Sequence, residues 1–118
     1  MDKKDLRFTK DVRLGSASEY ANVFKGAARS TDRFFTVLAK RSKRTSARLG
    51  LAIAKKSVKK AVKRNLIKRV IRESFRRQKE DLTGLDFVVL CRRDAATASK
   101  KALAASIQYH WGKLVSHE

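Results

Sequence analysis

Residues 55–77 read KKSVKKAVKRNLIKRVIRESFRR, and this stretch decides how the rest of the chain is interpreted. It contains eleven Lys and Arg and a single acidic residue, Glu73. Five apolar residues recur at helical spacing and share one side of an α-helix: Leu66, Ile67, Val70, Ile71 and Phe75. The opposite side carries Asn65, Lys68, Arg69, Arg72 and Arg76. A helix that buries one side and exposes this much positive charge on the other indicates a polyanionic partner.

The charge of this helix is too one-sided for an ordinary solvated surface. Such surfaces usually mix both signs, because i,i+4 pairs of opposite charge relieve repulsion. Glu73 can pair with Arg69 and Arg77, and the other basic side chains have no nearby acid in the helix. Their repulsion lowers stability unless a partner relieves it, and nucleic acid is the favoured partner.

The composition bounds the class of protein. A chain of 118 residues predicts one domain, and 42% apolar with 35% charged residues is typical of a globular protein. A net charge of +19 implies a partner that is either nucleic acid or an anionic membrane surface. The sequence shows neither a transmembrane-length apolar run nor an apolar secretory signal, so the expected location is the cytoplasm. The single cysteine, Cys91, is expected to be a buried, reduced thiol.

The first half of the chain predicts a helix followed by two strands. Ser16 and Glu19 have the spacing of a capping box, which predicts a helix over about 17–25 that ends before Gly26. Residues 33–40 and 48–54 are predicted strands, and we expect them to pair as a hairpin with a long polar tip.

The second half predicts the helix over 58–80, a strand over 85–91 and a last helix over 99–115. Because Val58, Ala61 and Val62 lie off the apolar stripe, the helix should have an irregular first turn or a different packing partner there. The last helix should bury Leu103, Ile107, Trp111 and Leu114. The predicted fold is a single α+β domain, 1–118, of order α-β-β-α-β-α, with a parallel βαβ crossover and a loosely ordered arm over 1–13.

Four segments of the chain follow one another in a specific order. They are Arg13-Leu14 with Tyr20-x-x-x-Phe24-Lys25, Leu49-Gly50-Leu51-Ala52-Ile53-Ala54-Lys55-Lys56, Arg64-Asn65-x-x-Lys68-Arg69-x-x-Arg72-Glu73-x-x-Arg76, and Asp86-Phe87-Val88-Val89. Together they resemble the bacterial ribonuclease P protein subunit over roughly residues 12 to 115, and the third segment resembles the signature helix of that family.

The resemblance implies a function for the complex and for this chain within it. The complex cleaves precursor tRNA endonucleolytically and leaves the mature 5′ end, with the RNA subunit and its magnesium ions as the catalyst. The protein would bind the single-stranded 5′ leader in a cleft between the first helix and the sheet, and would dock on the catalytic RNA through the signature helix. It also implies a left-handed crossover. We expect no metal held by the protein, no membrane contact and no obligate protein partner.

Two sets of binding residues are expected. Aromatic rings beside cations bind single strands by stacking, so the leader set is Tyr20, Phe24, Lys25, Phe34, Thr36, Lys55 and Lys56. Core packing of Tyr20 and Phe24 is an equal alternative, with Phe24 the one expected to be more buried. The set for the catalytic RNA is Arg64, Asn65, Lys68, Arg69, Arg72 and Arg76.

The sequence shows no catalytic set. His110 is expected at the surface or edge of the last helix, His117 follows near the end, and neither has a persuasive Ser or Asp partner. Two alternatives stay open: a ribosomal-type structural RNA-binding protein, and a basic domain that lays the helix 58–80 in a DNA major groove. A membrane-surface helix is a distant third.

Overall fold

The computed structural model describes residues 13–116. Its helices are α1 (Ala17–Phe24), α2 (Ala61–Gln78) and α3 (Lys100–Ser116), and its strands are β1 (Ala28–Thr31), β2 (Phe35–Arg41), β3 (Arg48–Ala52) and β4 (Leu85–Cys91). Short 3₁₀ turns follow α2 and β4, at Lys79–Leu82 and Arg93–Thr97. The expected loose arm lies outside the described residues except for Arg13, which forms a β-bridge with Leu49.

The four strands form one mixed sheet in the order β1-β2-β4-β3. β3 pairs with β4 in parallel, as the helix between them predicts, and β2 pairs antiparallel with both β1 and β4. The predicted strands 33–40 and 48–54 correspond to β2 and β3. The hairpin expected between them is therefore wrong, because β4 lies between β2 and β3. The apolar run of β4 is buried along nearly its whole length, and a strand covered on both faces is stable at the centre of a sheet. The handedness of the crossover stays a prediction.

Strand β1 is the element that the sequence did not predict, so the observed order is α-β-β-β-α-β-α. Its four residues, ARST, include one buried side chain, Ser30, and no large apolar residue. A strand of this kind has no period-2 apolar signal and forms because β2 offers it a pairing edge.

The large core lies between the sheet and helices α2 and α3. Trp111 of α3 is fully buried, with its ring 5.0 Å from Phe87 of β4 and 5.9 Å from Phe75 of α2, both edge-on. Edge-to-face contacts of this kind stabilise a core beyond simple burial. The four predicted core residues of α3 are confirmed, since each has no exposed surface: Leu103, Ile107, Trp111 and Leu114.

A smaller core joins α1 to the other face of the sheet. It contains Leu14, Val23, Leu38 and Val88, with Tyr20 packed at its edge. The predicted capping box is confirmed: the Glu19 amide donates to the Ser16 hydroxyl, and the Glu19 carboxylate accepts from the Ser16 amide. Because α1 is only eight residues long, it covers part of this sheet face and leaves the rest open.

Candidate nucleic-acid interface

The outer face of α2 carries basic residues away from the core. Asn65, Arg69 and Arg72 are exposed and Lys68 is partly exposed; we call these four residues the docking face. The opposite side of the helix is buried through four apolar residues: Ile67, Val70, Ile71 and Phe75. The split between the two sides follows the sequence pattern, with Leu66 only half-buried at the boundary.

The single acid of α2 neutralises little of this charge. The Glu73 carboxylate pairs with Arg76 at 2.6 Å and with Arg77 at 3.2 Å. The predicted pair with Arg77 is confirmed, and the one with Arg69 is wrong. Within residues 13–116, Lys68 and Arg69 have no hydrogen-bond or ion-pair partner. Two cations of the docking face are therefore available to phosphate groups.

Arg64 has a structural task that the sequence did not reveal. Its Nη1 donates to the carbonyl oxygens of Val58 at 2.9 Å and Lys59 at 2.8 Å. These bonds hold the turn that precedes α2, so the helix begins at Ala61 and the expected irregular start is confirmed. Arg64 is half-buried, so it is less accessible than its place in the predicted set for the catalytic RNA implies.

A basic cavity of about 620 Å³ opens at the N-terminal end of α2. Its cationic lining residues are Lys56, Lys59, Lys60, Lys63 and Arg93, and its lining includes no carboxylate. Lys60, the N-cap, makes no side-chain capping bond, so the first amides of α2 add partial positive charge. Only Lys56 was among the predicted binding residues. Lys59, Lys60 and Lys63 were not, although they lie in the basic stretch 55–77, and Arg93 lies outside it.

Helix α1 is fixed to the sheet by a charged network. Arg48 of β3 donates two bonds to Asp86 of β4, at 3.0 and 2.7 Å, and a third to Glu19 of α1 at 2.7 Å. The Gly15 amide and then Arg48 lower the pKa of Glu19, and Asp86 raises the pKa of Arg48 despite partial burial. Asp86 is 2% exposed, so its charge is stabilised mainly by this guanidinium.

The two aromatic residues of α1 differ in exposure. Phe24 is 49% exposed at the end of the helix, beside the exposed Lys25. Tyr20 is half-buried, and its hydroxyl accepts a 3.0 Å hydrogen bond from the Leu51 amide. The expectation that Phe24 is the more buried ring is therefore wrong. Phe24 is the last residue of α1, and the small core includes Val23 but not Phe24, so the Phe24 ring stays exposed.

The part of the sheet face that α1 leaves uncovered forms a continuous strip. Thr36 of β2 is in register with Leu90 of β4, which is in register with Ala52 of β3. All three are half-exposed, and Thr31 of β1 extends the row beside Thr36; we call these four residues the exposed strip. Of the four, the sequence predicted only Thr36, because the apolar run of β4 indicated burial on both faces.

Three predicted leader residues, Phe34, Lys55 and Lys56, lie away from α1 and the exposed strip. Phe34 precedes β2 in a turn and packs against the large core, whereas Tyr20 packs against the small one. Phe34 therefore does not lie with Thr36 on the exposed strip, although both belong to the predicted leader set. Lys56 lines the cavity at the start of α2, and the neighbouring Lys55 is exposed in the same turn.

His110 is fully buried, which corrects its expected surface position. Its Nδ1 lies 2.6 Å from the Ser30 hydroxyl, and its Nε2 lies 3.2 Å from Asp32 but outside hydrogen-bond geometry. The Asp32 carboxylate also accepts from the Phe34 amide and from the Ser106 hydroxyl, and despite desolvation such bonds lower its pKa. Ser30 is 5% exposed, so this Ser-His-Asp set has no access to a substrate and joins α3 to the β1–β2 turn.

Other reactive groups are also inaccessible or dispersed. Burial raises the pKa of the Cys91 thiol to about 11, which agrees with the expected inert thiol. Within residues 13–116, no cluster of three or more His, Cys, Asp or Glu is placed to hold a metal ion. In the same part of the chain, no helix is long and apolar enough to cross a membrane.

Comparison with known proteins gives one family. The family model described as Ribonuclease P matches residues 8–115. The ribonuclease P protein component of Methylococcus capsulatus is 41% identical over 104 residues, which cover 88% of this chain and 81% of that protein. The corresponding component of Thioalkalivibrio sulfidiphilus is 39% identical over 110 residues, covering 93% and 92% of the two chains.

Solved structures agree with the sequence relatives. The Staphylococcus aureus RNase P protein superposes with a TM-score of 0.80 at 27% identity, over 88% of this chain and 97% of that one. The RNase P protein from Thermotoga maritima superposes with a TM-score of 0.75 at 26% identity, over 86% and 96% of the two chains.

Proposed function

This chain belongs to the bacterial ribonuclease P protein family, and we propose that it serves that enzyme through two separate RNA-binding surfaces. As a subunit of ribonuclease P, it takes part in endonucleolytic maturation of the tRNA 5′ end and has the ribonuclease P RNA as its partner. Because the chain belongs to this family, the ribosomal-type and DNA-binding alternatives are set aside. A subunit that acts on new transcripts is expected in the bacterial cytoplasm.

The first proposed surface is the docking face of α2, which would bind the catalytic RNA. The observation that carries this assignment is the unpaired charge of Lys68 and Arg69 beside exposed Arg72 and Asn65. Phosphates would neutralise these cations, and the Asn65 amide could bond a 2′-hydroxyl. Arg76, already paired with Glu73, would contribute less.

The cavity at the start of α2 would extend this surface toward the substrate. Its lysines and the uncapped helix end attract phosphate, and Lys56 belongs to it.

The second proposed surface is the cleft between α1 and the exposed strip, which would bind the 5′ leader. Phe24 offers an exposed ring, the strip offers a small apolar and hydroxyl floor, and Lys25 lies at the rim. Stacking on aromatic rings with nearby cations suits single strands of varied sequence, because every base has a π face. Tyr20 would close the end of the cleft over β3.

Catalysis would reside in the RNA subunit with its magnesium ions. The described part of the chain presents no accessible nucleophile with a partnered base, so the protein would position RNA without acting on the scissile phosphate.

A reconstitution with a bacterial ribonuclease P RNA tests the proposal. The full chain alone should leave precursor tRNA intact and should increase its cleavage when the RNA is present. Phe24→Ala should weaken binding of leader-bearing precursor by about fivefold or more, the lower end for one stacked base, and should not change binding of mature tRNA. Tyr109→Ala on α3 is the matched control, because Tyr109 is a 55% exposed aromatic on the far side of the sheet.

Two results would overturn the assignments. Cleavage by the protein without RNA would place chemistry in this chain. Equal weakening of both tRNA forms by Phe24→Ala and by Tyr20→Ala would remove the leader from this cleft.

A further inference from the structure

Gly50 lies directly under the ring of Tyr20, which leaves no space for a side chain at position 50. A Cβ atom at Gly50 would lie 2.6 Å from Tyr20 Cζ and 2.8 Å from both Cε2 and the hydroxyl oxygen. A Cβ atom essentially never lies this close to a non-bonded heavy atom, so the ring would have to move. The φ angle of Gly50 lies outside the left-handed region, so the requirement for glycine comes from space and not from backbone conformation.

The Tyr20 hydroxyl fixes the same ring at its far end. β3 is an edge strand that pairs with β4 on one side. On its outer side, the Leu49 carbonyl accepts from the Leu14 amide at 3.0 Å, and the Leu51 amide donates to the Tyr20 hydroxyl at 3.0 Å. The ring is thus held by Gly50 below and by Leu51 at its tip. Its hydroxyl also occupies an open backbone position of the sheet edge.

This double constraint lies at one end of the exposed strip. Gly50 and Ala52 are successive residues on the same face of β3, so the Tyr20 ring lies beside the Ala52 end of the strip. Tyr20 is half-buried and keeps part of its ring accessible. Because the Tyr20 ring is already fixed in the free protein, it loses little conformational freedom when a base of the RNA leader stacks on it.

On the basis of the proposed leader cleft, we propose that Gly50 is a positioning residue for leader recognition. It contacts no RNA itself. It leaves the space that lets Tyr20 lie flat across β3 with its hydroxyl on Leu51, at the height at which a leader base can stack. Any side chain at this position would lift the ring from the sheet and break its bond to Leu51.

The decisive variant is Gly50→Ala in the full chain, assembled with a ribonuclease P RNA. The measurement is the ratio of dissociation constants for mature tRNA and for leader-bearing precursor, which cancels any loss of active protein. The ratio should fall by about fivefold or more, as for loss of one stacked base. Single-turnover cleavage at saturating enzyme should be unchanged, because only uniform binding is lost.

Gly112→Ala is the matched control. Gly112 is an exposed residue of α3, and an added Cβ there meets no atom within 4 Å. This variant should keep the wild-type ratio. Tyr20→Phe provides a second test that adds no atom. It keeps the ring, removes both hydrogen bonds between the hydroxyl and Leu51, and should lower the ratio by at least about twofold, the lower end for a single hydrogen bond.

A double substitution separates positioning from packing. If Gly50 acts through Tyr20, Gly50→Ala should cause no further loss of the ratio in a Tyr20→Ala background. Independent losses that add would show that Gly50 acts elsewhere, and the inference would be wrong. A wild-type ratio in both Gly50→Ala and Tyr20→Phe would also overturn it.

The same set distinguishes this inference from the proposed function. If Tyr20→Ala lowers the ratio and Gly50→Ala does not, the leader cleft stands and the role of Gly50 is rejected. If Tyr20→Ala and Phe24→Ala both leave the ratio unchanged, the cleft assignment fails, and the positioning role fails with it.

Discussion

The indole N–H of Trp111 donates a 2.9 Å hydrogen bond to the hydroxyl of Ser74, and this bond joins α3 to α2. Trp111 is fully buried, so its donor depends on a protein partner or an ordered water. Ser74 also lines a groove of about 410 Å³ between the two helices, from which water can reach it. The bond therefore connects the large core to the side of α2.

Ser74→Ala should lower the free energy of unfolding by about 1 kcal/mol, the usual net value of such a bond, since water can replace part of it. Urea unfolding measures the change. Trp111→Phe removes the donor, and in that background Ser74→Ala should have almost no effect. Full additivity of the two losses would show that the bond contributes nothing.

The Arg48–Asp86 pair is expected to be the costliest ion pair to break. Asp86→Asn should lower the free energy of unfolding by about 3 kcal/mol, because it leaves the partly buried guanidinium of Arg48 with only Glu19 as a charged partner. The control is Glu73→Gln, which removes a 43% exposed carboxylate from α2 and should cost about 0.5 kcal/mol. Similar losses for the two variants would contradict the role assigned to burial.

Elements with a local signal were predictable from the sequence. The capping box of Ser16 and Glu19, the buried side of α2 and the core face of α3 each depend on residues within one helix, and all three are confirmed. The parallel pairing around α2 also follows from the order of elements.

Features set by distant partners were not predictable. β1 forms on the edge of β2 without an apolar pattern of its own, and β4 separates β2 from β3. The exposure of Leu90 depends on where α1 stops over the sheet, and the burial of His110 depends on Ser30, which lies in the unpredicted strand. The exposed side of α2 was therefore predictable from one helix, whereas the exposed strip was mostly missed.

Cys91 should be almost unreactive in the folded chain. Its pKa is raised from 9.0 to about 11 by burial, so the thiolate fraction near pH 8 falls by about a hundredfold relative to an unperturbed thiol. A thiol-specific chromogenic reagent should label the native protein slowly and the urea-unfolded protein rapidly, with one thiol per chain. The free energy of unfolding should therefore decrease as pH rises from about 9 to 11, because the Cys91 thiol ionises first in the unfolded state. Rapid labelling of the native protein at pH 8 would contradict this.

Arg69 and Arg64 should separate binding from stability within the same helix. Arg69 is exposed and has no partner in the described chain, so Arg69→Ala should change the free energy of unfolding by less than about 0.5 kcal/mol. It should weaken assembly with ribonuclease P RNA and reduce the slope of log K against log salt by about 1, as for one phosphate contact. Arg64→Ala should instead lower thermal stability, because it also releases the carbonyls of Val58 and Lys59 at the start of α2. Lys113→Ala on α3 is the charge-matched control and should alter neither property, since Lys113 is exposed on a helix away from the docking face. An Arg69→Ala variant that melts early with an unchanged salt slope would make this residue structural. The RNA contact would then have to be sought at Lys68 and Arg72.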